Sequence, residues 1–166
     1  MIVKEIIGSL LKFDLNNRTI EHVMLEWYEV SKKILHKKTD AGREIIFKLL
    51  QPNQSLAVGD IVFANESTVI VIDIIECDAI VIFPQTMLKM ANICYEIGNK
   101  HLPLFYQDDH LLVPFDAPLF RLLQNAGYTI ETGKRKLTAP LKTTVQPHTA
   151  TDNSLFSKLI KLTTNA

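Results

Sequence analysis

Residues 79–98 read Ala-Ile-Val-Ile-Phe-Pro-Gln-Thr-Met-Leu-Lys-Met-Ala-Asn-Ile-Cys-Tyr-Glu-Ile-Gly, and the change of period inside this stretch decides the fold. Ala79 to Phe83 is a near-continuous apolar run of strand length, closed by Pro84. Met87, Met90, Ala91, Cys94 and Ile97 then recur at helical spacing, and Gly98 fits the position just past a helix end. Toward the C-terminus, Leu102 to Tyr106 reads as a strand with Pro103 near its start. Gln107-Asp108-Asp109 is turn-like, and Leu111 to Val113 is the hairpin partner. Asp116 suits an N-cap, with Pro118 tolerated in the first turn. Leu119, Leu122, Leu123 and Ala126 make one helical face closed by Gly127, and Tyr128 to Thr132 is a last strand. The order from Cys77 to about Leu137 is β-α-β-β-α-β. That is the ferredoxin-like split arrangement, two helices on one face of a four-stranded antiparallel sheet. Such a fold hosts many functions and names none by itself.

Upstream the chain reads as β. Ile2 to Ile7 ends at Gly8, and His22 to Tyr28 carries β-branched and aromatic residues. Ile34 to Lys37 precedes the turn Thr39-Asp40-Ala41-Gly42, Glu44 to Leu49 follows it, and Asp60 to Ala64 and Thr68 to Ile72 complete the set. Short strands spaced by turn chemistry predict a small antiparallel sandwich or barrel-like module. Downstream, Thr138 to Ser154 holds Thr, Pro, Gln, Asn and Asp with no Phe, Trp or Tyr, and reads as a flexible tail. It ends in an apolar group, Leu155, Phe156, Leu159, Ile160 and Leu162. The expectation is an α+β chain: an N-terminal all-β domain over 1–74, a ferredoxin-like domain over 75–137 and a tail over 138–166.

Composition narrows the function. The 166 residues, 47% hydrophobic, can support packed cores. Eighteen basic and eighteen acidic residues cancel, which argues against nucleic-acid binding or a polybasic membrane patch, although a local patch can hide in a neutral average. Cys77 and Cys94 lack the spacing of a redox or zinc pair and read as structural thiols. Lys4 and Glu5 fall inside what would be the apolar core of a signal peptide, and no run approaches the ~18 apolar residues of a spanning helix. A soluble, cytoplasmic protein is expected.

Motifs for nucleotide binding, serine hydrolysis and zinc proteolysis are missing, and no cysteine pair closes a zinc site. His22 and His36 have no ligand partner at short spacing, and His110 follows two aspartates in a turn; all three read as structural or surface residues. His101 differs. It stands between a helix stop and a strand start, so its ring is aimed, and neutral imidazole is a good ligand for nickel, copper and zinc. A lone histidine is more often structural. Two-fold dimerisation would double it, because an isologous interface repeats every side chain. His148 in the tail could fold back onto the same site. A site shared between subunits and a tail suits handing metal on. No general base is placed beside such a metal, which argues against a hydrolase.

The stretch Ile93-Cys94-Tyr95-Glu96-Ile97-Gly98-Asn99-Lys100-His101 resembles the signature of the UreE family of urease accessory metallochaperones, an aliphatic helix end followed by Gly-Asn-Arg-His. Lys100 replaces the usual arginine, keeping the charge and losing bidentate geometry. Val23 to Glu29, with Ser31-Lys32-Lys33 behind it, looks like the family's N-terminal strand motif, and Val145-Gln146-Pro147-His148 like the tail histidine of some members. The resemblance covers nearly the whole chain. It implies an N-terminal domain of peptide-binding type, a ferredoxin-like domain that dimerises, and a metal site at the dimer interface with His101 and His148 as ligands. It further implies nickel delivery to the urease apoprotein complex by way of a maturation GTPase, with no enzyme activity. Zinc suits the same imidazoles. Many members end in a histidine-rich tail that this chain lacks, so about one metal per dimer is expected. The alternative is a protein-interaction module whose zinc only cements the dimer.

Overall fold

The structure is a computed structural model that describes residues 1–52 and 54–141. The chain is α+β, as expected. Strands β1 (Ile2–Val3), β2 (Gly8–Ser9), β3 (Thr19–Leu25), β4 (Ile34–Lys38), β5 (Glu44–Lys48), β6 (Asp60–Ala64) and β7 (Thr68–Ile74) form two sheets, ordered β1-β5-β4 and β2-β6-β7-β3. Their facing sides share one core: Val3, Leu35, Ile45 and Phe47 meet Val23, Leu25, Val62, Ile70 and Ile72. The period of two is plain in β3, where Val23 and Leu25 are buried and Met24 between them is exposed. The far side of the second sheet is closed by Leu10, Phe13 and Leu15 packed on Ile61, Val69 and Val71.

The structure corrects three details of this half. The module is not purely antiparallel, since β1 runs parallel to β5 and β3 parallel to β7. Parallel partners are joined by long crossovers rather than tight turns, so no turn residue announces them. Ile2 to Ile7 is not one strand: β1 joins the first sheet, while the Ile7 N–H donates to the Ile61 carbonyl in the second. Trp27 and Tyr28 lie beyond the end of β3, because the Glu29 N–H donates to the Glu26 carbonyl at 2.9 Å and turns the chain there.

The second half contains β8 (Cys77–Ile82), α1 (Met87–Asn99), β9 (Phe105–Gln107), β10 (His110–Pro114), α2 (Ala117–Asn125) and β11 (Ile130–Arg135). The sheet order β11-β8-β10-β9, antiparallel throughout, is the ferredoxin-like one. Ile93, Ile97, Leu119 and Leu123 of the helices pack on Ile80, Ile82, Leu111 and Val113. The other sheet face, with Ala79, Val81, Leu112 and Phe105, packs on Trp27, whose ring meets Phe105 edge-on at 5.6 Å. Burial of β8 on both faces is why it reads as a near-continuous apolar run. The Thr86 hydroxyl caps α1 by accepting the Lys89 N–H at 3.2 Å, and the Asp116 carboxylate caps α2 by accepting the Leu119 N–H at 2.7 Å. Asp108 and Asp109 both have positive φ, the geometry that joins twisted strands in a two-residue hairpin.

Backbone pairing continues past Leu137. The Tyr106 N–H donates to the Ala139 carbonyl at 3.1 Å and the Leu141 N–H to the Leu104 carbonyl at 2.8 Å. His148 and the apolar group Leu155 to Leu162 lie outside the described residues.

Candidate metal-binding site

Helix α1 does not stop at Gly98. It runs to Asn99, Lys100 is its cap, and the left-handed residue that ends it is His101, with φ of 54°. The His101 N–H donates to the Gly98 carbonyl at 3.0 Å, and the Leu102 N–H reaches back to the Ile97 carbonyl at 3.4 Å. This pair of bonds is the Schellman motif, completed by Leu102 packing in the same cluster as Ile97. Glycine usually holds this position. A side chain there costs on the order of 1–2 kcal/mol, so an imidazole held in the left-handed region marks a candidate functional residue. His101 is exposed, and the left-handed backbone sets where its Cβ leaves the end of the helix.

The solvent side of α1 leads to this residue. Met87 is 84% exposed, Leu88 71% and Tyr95 70%, and Ala91 and Gly98 are exposed between them. Leu88, Ala91, Tyr95 and Gly98 fall on one face at helical spacing. Of the residues at helical spacing, Met90, Cys94 and Ile97 pack with Ile93 on the core, while Met87 and Ala91 face solvent. A Cβ added at Gly98 would meet nothing within 4 Å, so packing within the described chain does not require glycine there. The apolar stripe escaped the sequence reading, although the spacing of Leu88 and Tyr95 carried the signal.

The other histidines among the described residues are dispersed. His22 places Nδ1 3.4 Å from the Asp40 carboxylate, His36 lies exposed on β4, and His110 stacks edge-on to Phe83 at 4.5 Å. Cys77 and Cys94 are half-buried, and burial pushes both thiols up, which disfavours the metal-binding thiolate. Among the described residues no three histidine, cysteine or carboxylate side chains gather closely enough to hold a metal ion. The apolar groove of about 620 Å³ between the two halves, lined by Trp27, Tyr28, Pro103 and Phe105, contains no histidine, cysteine or carboxylate. Among the described residues His101 is thus an exposed imidazole at a helix end, and neutral imidazole nitrogen is a donor that suits nickel and zinc. No helix among the described residues is long and apolar enough to cross a membrane.

The family model for the N-terminal domain of the UreE urease accessory protein matches residues 3–74, and that for its C-terminal domain matches residues 70–152. The chain is 45% identical over 163 residues to the urease accessory protein UreE of Flavobacterium johnsoniae, covering 98% of this chain and 99% of that protein. It is 41% identical over 145 residues to UreE of Haemophilus influenzae, covering 85% and 78% of the two chains. With UreE of Helicobacter pylori it shares 34% identity over 152 residues, 89% of each chain. Matches to both family domains, together with these near full-length relatives, establish that the chain belongs to the UreE family of urease accessory proteins.

Proposed function

We propose that this chain is a nickel escort and not an enzyme. It binds Ni²⁺ as a two-fold dimer through its second domain, residues 75–137, and releases the ion into assembly of the urease active site. The supporting observation is His101, exposed and held left-handed at the foot of an uncovered apolar helix face. A two-fold axis beside α1 would cover Leu88 and Tyr95, bring the second backbone close at Ala91 and Gly98, and set two imidazoles together. His148 from the tail adds a ligand that can leave, which makes the site reversible. Zinc competes for the same nitrogen donors. The urease maturation GTPase and the urease apoprotein complex are the proposed partners, in the cytoplasm; membership of an accessory family supports that assignment.

Urease activation at buffered nickel tests the reading. Apoprotein complex, maturation GTPase and GTP are mixed with nickel-loaded chain in the presence of a chelator that holds free nickel below what activation needs. Activity is expected with the wild-type chain and not with His101→Ala. Equal activation by both chains would remove delivery through His101.

A further inference from the structure

The outer face of the β1-β5-β4 sheet belongs to none of the hydrophobic clusters, yet it is not a polar surface. Strand register sets its side chains in rows. Ile2, Ile46 and His36 lie side by side, as do Ile34 and Lys48, with Lys4 following Ile2 on the same side of β1. Ile2 is 53% exposed, Ile34 59%, and Leu50, just past β5, 66%. Lys4, Lys48 and Leu50 line one shallow pocket on this surface. Lys38 is paired with Glu44 at 3.1 Å, but among the described residues no carboxylate lies within salt-bridge distance of Lys4 or Lys48. In a chain whose formal charge is zero, this face therefore combines exposed aliphatic side chains with uncompensated positive charge.

We propose that this face docks an acidic segment of another protein, one that carries aliphatic side chains between its carboxylates. Charge selects the occupant. A second copy would set lysines against lysines. The chain's own residues 142–166 carry Lys142, Lys158 and Lys161 against Asp152, so they too are repelled. The face holds no Trp, Tyr or Phe, the side chains that anchor proteins at a membrane interface. β4 and β5, five residues each, and the two-residue β1 beside them, with strands about 4.8 Å apart, offer a face roughly 10 Å wide and up to about 17 Å long, the footprint of a short extended segment or of one side of a helix about 10 Å across. Burying Ile2, Ile34 and Leu50 supplies affinity, and Lys4 and Lys48 supply selection and register.

The test is a titration of the full chain with a fluorescein-labelled 14-residue amphipathic peptide of glutamate and leucine, and with its lysine–leucine counterpart. Saturable binding of the acidic peptide alone is expected, weaker at high salt. Affinity should fall at least tenfold in Lys4→Glu/Lys48→Glu and at least threefold in Ile34→Ser, while nickel binding stays unchanged. Amide shifts should move at Ile2, Ile34, Ile46 and Lys48 and not along α1. If the charge-reversed chain fails to fold, Lys4→Gln/Lys48→Gln serves instead. Shifts centred elsewhere, equal binding of the basic peptide, or unaltered affinity in the variants would overturn the proposal. So would binding to phosphatidylserine vesicles in place of the peptide, or self-association lost in the variants.

Discussion

His101 adopts a backbone conformation that costs an L-residue stability, and the Schellman bonds to Ile97 and Gly98 hold it there. Glycine would take this conformation without strain. His101→Gly is therefore expected to melt no lower than the wild-type chain, with a gain of up to about 1 kcal/mol, while nickel affinity falls at least ~100-fold, about 2.7 kcal/mol. A thermal melt beside calorimetry with nickel checks both halves; a large loss of stability would make His101 a structural residue. Protons compete with metal for the imidazole lone pair, so nickel binding should also weaken markedly between pH 8 and pH 5 and release protons. Residue type and place made His101 legible in the sequence as a candidate. Its left-handed backbone was not legible, because Gly98 is the better local candidate for a helix stop. The contact of Leu102 with the core beside Ile97, a tertiary effect, decides against it.

Helix α1 shows where pattern reading stops. Its existence and approximate end follow from periodicity and Gly98, but its apolar residues cover more than one face, and which face is buried depends on the sheet beneath. Ile93 and Ile97 take the core, and Leu88 and Tyr95 are left to solvent. If that side meets a second copy, Tyr95→Asp should yield a monomer by light scattering with an unchanged melt at low concentration. Gly98→Ala separates the two roles of this position more finely. Nothing in the described chain opposes a methyl group there, so helix propensity should raise monomer stability by ~0.5–1 kcal/mol. A close approach by the partner would at the same time weaken the dimer and its nickel site. A variant more stable and equally tight in nickel binding would place the interface elsewhere.

At the scale of the molecule, the ferredoxin-like half was legible nearly element by element, because its strands and helices alternate with clear caps and turns. The β half was legible as strands but not as pairings, since β1–β5 and β3–β7 join residues far apart in sequence without a turn between them. The contact between the halves was not legible at all. It rests on Trp27 against Phe105 and on Lys136, which donates to both Asp73 oxygens at 2.7 and 2.8 Å. Burial pushes the Asp73 carboxyl up, but the Lys136 ammonium and the Ile74 N–H, which donates to Oδ1 at 2.7 Å, together outweigh it and hold the pKa below the ordinary value. A carboxylate depressed on folding contributes stability above its unfolded pKa, and that contribution is lost as pH falls through the depressed value. Lys136→Met should cost about 1 kcal/mol at pH 7, and the difference from wild type should narrow as pH falls below the ordinary aspartate value of about 4, as read from melts across acid pH. Native mass spectrometry of the full chain in nickel shows whether His101 holds a metal between two copies. Two chains with one nickel ion are expected for the wild type, and two chains without nickel for His101→Ala. A single chain carrying nickel, or a His101→Ala pair that retains it, would rule out a metal shared through His101.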